Sequence, residues 1–199
     1  MTAAQAPTIL ISFSGGIDSA AVLYHQLRGS SKRVLVHHVN RTNTVRTRSG
    51  REPFERHAVS AVLAWLRDQG LDHFEFAETG MSQDLPFVDT VCVALWAGVV
   101  LKRHKQIDTV IWPSSLSDRT RLPGWAENEA KRRQLVGLLC GRNLRWVDPN
   151  AELTKAEVMA GLPSDLLALT WSCRTPTLAG EPCGECHACQ GIVVKEVSP

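Results

Sequence analysis

A chain of 199 residues with 44% apolar and 21% charged side chains is long enough to bury one sizeable core and sits near the globular average. That excludes a disulfide-stapled miniprotein, a disordered segment, a fibrous repeat and a coiled coil. With 22 Lys and Arg against 20 Asp and Glu, the formal charge is +2, so bulk electrostatics predict no general affinity for nucleic acid or an anionic membrane.

The first residues, MTAAQAPTILISFSGG, lack a basic start, a long apolar stretch and a cleavage site, so a cytoplasmic protein is expected. Thr8 to Phe13 is an apolar, β-branched run and predicts the first strand. Ser14-Gly15-Gly16-Ile17-Asp18-Ser19 follows at once, and a helical pattern runs from Asp18 to Arg28. A second strand is predicted over Val34 to Val39. After it comes a polar loop, Asn40 to Pro53, in which Arg41, Arg46, Arg48 and Arg51 face Glu52 alone.

A helix is expected from Phe54 to Gln69, a third strand over His73 to Ala77 and a helix from Leu85 to His104. The apolar run within that helix, Val91 to Leu101, has eleven residues, well short of the roughly 20 that span a bilayer. With Asp84 upstream and Lys102 downstream it reads as a buried helix with acid at its start and base at its end. The fourth strand is placed over Asp108 to Trp112, a second polar loop over Pro113 to Gly124, a helix over Trp125 to Cys140 and the last strand over Leu144 to Val147. Beyond about Ala151 the strand pattern stops. Thr154 and Glu157 are spaced as a capping box for a short helix ending at Gly161, and a second short helix starts at Ser164.

Strict alternation of strand and helix implies right-handed crossovers, hence an α/β fold: a parallel five-stranded sheet with helices on both faces. Residues 1–150 form its nucleotide-binding domain and 151–199 a helical, cysteine-rich C-terminal appendage. The two polar loops leave the carboxyl edge of that sheet, where ligands bind in open α/β folds; solvated connections are the plainer alternative.

Three features carry chemistry. In the segment from Phe13 to Ser19, two glycines let the backbone turn tightly and bring its N–H groups toward an anion, and the helix beginning there adds its positive end. That is a phosphate cradle, without the Gly-Lys-Ser/Thr of the Walker form; a βα turn that happens to contain two glycines is the alternative. Cys173, Cys183, Cys186 and Cys189 follow a C-x9-C-x2-C-x2-C spacing that closes a tetrahedral zinc site, with an iron–sulfur cluster allowed by the same donors and unligated thiols as the third reading. His187 lies inside the cluster but would be a fifth ligand, so it is read as a bystander or a group supporting the ligands. Cys92 and Cys140 read as core residues. Lys155 stands at the first helical position, where a cation opposes the helix dipole. A bound phosphate or a carboxylate would compensate, which makes Lys155 a candidate for stabilising charge on phosphates; a solvated lysine is the alternative.

SGGIDS after the first strand resembles the PP-loop of ATP pyrophosphatases, which cleave ATP between its α and β phosphates to adenylate a substrate. Together with TKAEV, and TWSC followed by CGECHAC, it looks like the QueC family, the 7-cyano-7-deazaguanine synthases. The resemblance covers roughly Thr8 to Leu27 and Pro149 to Cys189. It implies an ATP-dependent carbon–nitrogen ligase: 7-carboxy-7-deazaguanine is adenylated, ammonia displaces AMP to give the amide, and a second ATP drives dehydration to the nitrile. By position, Phe13, Ser14, Gly15, Gly16, Ile17, Asp18 and Ser19 take the ATP-binding role, with Lys155, Asp18 and Ser19 as the catalytic set. Mg2+ accompanies the ATP, and Cys173, Cys183, Cys186 and Cys189 bind Zn2+. A homo-oligomer is expected.

The middle of the chain departs from that family. Its Tyr-Pro-Asp-Cys-Arg segment after the fourth strand is replaced by WPSSLSDRTRLPGW, with Asp118 and Arg119 as candidate remnants. HHVNRT stands where a tyrosine-glycine-glutamine segment is expected, and Gln190-Gly191 where the family has an arginine after the last cysteine. This pattern suggests a paralogue, such as the QueC-like enzymes of bacterial antiviral defence, which would join a deazaguanine acid to an amine on a partner protein; the arginine-rich loop beyond Asn40 and an exposed Trp125 loop would then meet that partner. A tRNA-modifying PP-loop enzyme and a non-catalytic nucleotide-binding regulator are further alternatives; the low net charge opposes the first and the intact loop with Lys155 the second.

Overall fold

The structure is a computed structural model that describes residues 6–43, 50–83, 89–121 and 123–192. Among these, five parallel strands form one sheet, β1 (Ile9–Ser12), β2 (Val34–Asn43), β3 (Phe74–Gln83), β4 (Thr109–Ile111) and β5 (Arg145–Val147), in the order β3-β2-β1-β4-β5. The helices are α1 (Ile17–Gly29), α2 (Glu52–Asp68), α3 (Asp89–Arg103), α4 (Leu116–Arg121), α5 (Trp125–Cys140), α6 (Lys155–Ala160), α7 (Ser164–Ala168) and α8 (His187–Ile192). The expected architecture, a parallel sheet between helices, is therefore the observed one.

Alternation along the short strands divides the core. On one face Ile9, Ile11, Val34 and Val36 pack against Ala20, Leu23 and Leu27 of α1 and Val59, Val62 and Leu66 of α2. On the other, Leu10, Leu35 and Val110 meet Ala94, Ala97 and Leu101 of α3 and Val136 of α5. The strands are buried on both faces, which is why they read as continuous apolar runs. Gly98 lets α3 and α5 approach: a Cβ there would sit 2.7 Å from the Leu139 Cβ. Val158 of α6 and Leu166 of α7 enter the first core beside α1, so the segment after β5 is packed into the sheet domain's own interior. Cys92 is fully buried, as expected for a core residue, while Cys140 is half-buried with its thiol against the carbonyls of Gly137 and Arg142.

Two strands run past their expected ends. β2 and β3 pair residue for residue from Val34 with Phe74 to Asn43 with Gln83, well beyond Ser12 where β1 stops. Each strand satisfies the other's backbone groups there, so a polar sequence stays extended and Arg41 is on a strand instead of in a loop. Helix α4 lies inside the expected Pro113–Gly124 loop. It has no buried residue, so no apolar period announced it. The expected helix start at Leu85, Asp84, Arg46 and Arg48 lie outside the described residues. No helix of the described residues is long and apolar enough to cross a membrane.

Candidate active site and metal centre

Strand order reverses between β1 and β4, because the chain crosses from one side of β1 to the other, and a crevice opens at their carboxyl ends. The crevice has a volume of about 210 Å3, and Ser12 and Trp112 at those strand ends line it together with Ser14, Gly16, Asp18, Ser19 and Lys155. The predicted loop and the predicted lysine, 137 residues apart from Asp18 to Lys155, thus meet in one place.

Local chemistry shapes the loop. Gly15 has φ +73° and a Cβ there would lie 2.8 Å from the Val59 backbone nitrogen, so only glycine takes this conformation with α2 so close. The Ser19 hydroxyl donates to the Gly16 carbonyl at 3.0 Å and accepts from the Ser14 N–H at 3.3 Å. Behind the loop, His38 donates through Nδ1 to the Phe13 carbonyl at 2.9 Å. The C-terminal segment closes over it: the Trp171 N–H donates to the Gly15 carbonyl at 3.0 Å, and the Ser172 hydroxyl accepts from the Ile17 N–H at 3.3 Å. Ser172 therefore caps α1, whose own N-cap, Gly16, has no side chain to do so.

Lys155 begins α6 behind Thr154, and the capping box is complete: Glu157 N–H to the Thr154 hydroxyl at 3.3 Å, Thr154 N–H to the Glu157 carboxylate at 2.8 Å. Its ammonium donates to Oδ2 of Asp18, the carboxylate that compensates a cation at a helix start. Both side chains are mostly buried, 8% and 18% exposed. Oδ1 of Asp18 is buried without a partner. Burial raises the Asp18 pKa above the usual carboxylate value against the pull of Lys155, and the charges of Asp118 and Asp148 raise it further.

Asp118, on the unforeseen α4, lines the same crevice. It accepts from the Ser115 hydroxyl at 3.2 Å and lies 3.3 Å from His187 Nε2. Burial pushes its pKa up, but Lys155, the Ser115 N–H and His187 outweigh this and hold it low. His187 is thus turned into the crevice, a role that its place among the cysteines did not reveal. Arg119 faces away: it grips Asp148 at 2.6 Å and stacks on Trp125, 4.5 Å from the ring centroid. Trp125 is itself half-buried, while its neighbours Pro123, Gly124 and Ala126 are exposed.

At the far end of the crevice, Arg41 and Arg51 converge on Asp89 and Glu55. Arg51 bonds Asp89 at 2.6 Å and Glu55 at 3.0 Å, Arg41 pairs with Asp89, and Arg174 approaches Asp89 at 3.6 Å. Burial raises the Glu55 pKa although Arg51 and His38 oppose it. The arginines of this loop were legible as a cluster, but their acid partners on α2 and α3 were not.

The four cysteine sulfurs lie within 4.8 Å of one another, with Cys183 Sγ 3.6 Å from Cys173 and 4.0 Å from Cys189. Tetrahedral ligands about 2.3 Å from one ion stand roughly 3.8 Å apart, so the four thiols fit a single metal ion. A four-iron cluster would hold them farther apart, because each iron already stands off the cluster centre before its thiolate begins. N–H groups of Cys183, Arg174 and Cys186 point at sulfurs at 3.2 to 3.4 Å, and Gly184 takes φ +71° to make that turn. Bonds from the Thr175 hydroxyl and the Cys186 N–H lower the Cys183 thiol to about 6, while burial raises Cys173 and pushes Cys189 up to about 12.

No protein-family model matches the chain, and no curated protein matches it in sequence. Among solved structures it is similar to the U34-tRNA thiolase NcsA of Methanococcus maripaludis with its 4Fe-4S cluster. The TM-score is 0.54 at 14% identity, over 84% of this chain and 60% of that one. An NH3-dependent NAD synthetase from Campylobacter jejuni (TM-score 0.44, 16% identity, 82% of this chain and 68% of that one) and a class III photolyase from Agrobacterium tumefaciens (0.38, 16%, 78% and 30%) are more distant. The likeness is one of fold, a parallel five-stranded α/β sheet, and the chain spans only 60% of the thiolase structure's length.

Proposed function

We propose that this PP-loop protein is an ATP-dependent carbon–nitrogen ligase of QueC type, which adenylates a 7-carboxy-7-deazaguanine-like acid for attack by an amine. The observation that carries the reading is the Lys155–Asp18 pair at the floor of the crevice, beside the positive end of α1, with one Asp18 oxygen buried and unpartnered. A buried carboxyl oxygen without a partner points to an absent ligand.

The loop from Ser14 to Ser19 and the start of α1 receive the ATP phosphates. Lys155 neutralises charge that grows as the substrate carboxylate oxygen bonds to the α-phosphorus and the bond to pyrophosphate breaks. The amine then forms its bond to the acyl carbon, AMP leaves, and the amine gives up a proton. Asp18, through its unpartnered oxygen, and Asp118 would hold a Mg2+ ion, which when bound screens the phosphate charge. The Cys173, Cys183, Cys186 and Cys189 thiolates would hold Zn2+ in a closed four-ligand site; its service is structural, because Trp171 and Ser172, directly before Cys173, close the loop.

Arg41 and Arg51 are already paired with Glu55 and Asp89, which leaves them poor donors for an RNA backbone and favours a small acid over tRNA. The acceptor is ammonia or an amine of a partner protein. The test is incubation of the purified protein with ATP, Mg2+, 7-carboxy-7-deazaguanine and ammonium. Release of AMP and pyrophosphate that requires the acid supports the reading; no acid-dependent AMP from protein that binds ATP overturns it. AMP release without nitrile selects the protein-amine acceptor.

A further inference from the structure

Beside the crevice lies a second cavity of about 640 Å3, between the start of α3 and the first turns of α5. Asp89, Thr90 and Arg174 line both spaces, so a molecule seated in one can reach into the other. Its volume is that of a small-molecule site, and its lining joins an aromatic wall, Trp125, to the polar side chains of Asn128 and Thr90 and to the cations Lys131, Arg132 and Arg174 against Asp89 alone. We propose that this cavity seats the ring of the carboxylic-acid substrate, a planar heteroaromatic acid that lies against Trp125 and turns its carboxylate to Arg174 at the junction with the crevice. The assignment rests on the adenylation reading and adds where, and by which residues, the acid is chosen.

Charge favours the acid over the amine wherever a lining cation is not already matched by a carboxylate. Among those cations the partners differ. Arg132 is held by Glu129 at 2.5 Å and Lys131 by Glu127 at 2.7 Å. Arg174 touches Asp89 at only 3.6 Å, the longest of the three arginine contacts to that carboxylate. Asp89 keeps Arg41 and Arg51 when Arg174 leaves it, so a substrate carboxylate can take Arg174 without stranding a charge. The backbone of Arg174 is itself fixed, because it follows Cys173 and its N–H donates to Cys186 Sγ at 3.4 Å. Asn128 and Thr90 offer amide and hydroxyl groups to the polar edge of a ring.

The experiment measures binding of 7-carboxy-7-deazaguanine by titration calorimetry to the full chain and to two variants, with ATP affinity and far-ultraviolet circular dichroism measured on each. Asn128→Trp, on the solvent side of α5, fills the cavity and should weaken acid binding at least 30-fold. Trp125→Ala removes the stacking wall and should weaken it about 10-fold. Both should keep the ATP affinity of the parent. Unchanged acid affinity in Asn128→Trp, or no binding of the acid to the parent, overturns the proposal. Acid binding that Asn128→Trp abolishes, in a protein that releases no AMP from that acid, would support the cavity and refute the ligase reading. Acid-dependent AMP release with an unchanged KM for the acid in both variants would do the reverse.

Discussion

Replacing Lys155 by Met removes a cation from a place where a carboxylate is already short of partners. Asp18 would keep its charge in a mostly buried site, with Oδ1 already unpartnered and Oδ2 now bare. Breaking one side of a buried ion pair costs about 3–5 kcal/mol; with the two side chains 8% and 18% exposed, the lower end, about 3 kcal/mol, is expected in urea unfolding at pH 7. The loss should depend on pH in a defined direction. Burial already raises the Asp18 pKa with Lys155 present, and without it the pKa rises further. A carboxyl that holds its proton more tightly in the folded state is most stabilising at low pH and loses that stability as pH rises through its raised pKa. Lys155→Met should therefore lie closer to the parent at pH 5 than at pH 7. Asp18→Asn combined with Lys155→Met should recover most of the stability, and neither variant should release AMP. A double variant as unstable as the sum of the two single ones would refute the coupling, and unchanged AMP release would remove Lys155 from the chemistry.

Elemental analysis should find about one zinc per chain, bound through Cys173, Cys183, Cys186 and Cys189, and chelation should lower the thermal midpoint by several degrees; iron in its place would overturn the metal assignment. The buried His37, hydrogen-bonded to Thr79 at 3.1 Å, supplies an acid-sensitive point. Burial lowers its pKa to about 4 from 6.5, so its contribution is intact above pH 6.5 and is lost as pH falls from 6.5 to 4. That gap corresponds to about 3 kcal/mol. His37→Asn should lose that much less stability than the parent between pH 7 and 4 in urea titrations, and equal losses would show that His37 titrates elsewhere.

Much of this arrangement was legible in one dimension because its causes are local. The strands that build the sheet are short apolar runs buried on both faces, the Thr154–Glu157 box marks a helix start within four residues, and the loop chemistry of Gly15 and Gly16 follows directly on β1. The cysteine spacing already limited the tail to a compact four-thiol cluster. Helix α4 escaped because it buries nothing and so has no apolar period. The full length of β2 and β3 escaped because their polar halves are held extended by each other and not by composition.

What the sequence alone determined was the fold class and the candidates for chemistry: the glycine loop, Lys155 and the four cysteines. Tertiary structure decided their partners. That Lys155 answers Asp18, that Ser172 caps α1, that His187 turns from the four cysteines to Asp118, and that three arginines converge on Asp89 are contacts between segments far apart in the chain. No local period or spacing encodes them. They exist because the reversal of strand order at β1 and β4 brings the loop after β1, the helix after β4 and the cysteine tail to a single edge of the sheet.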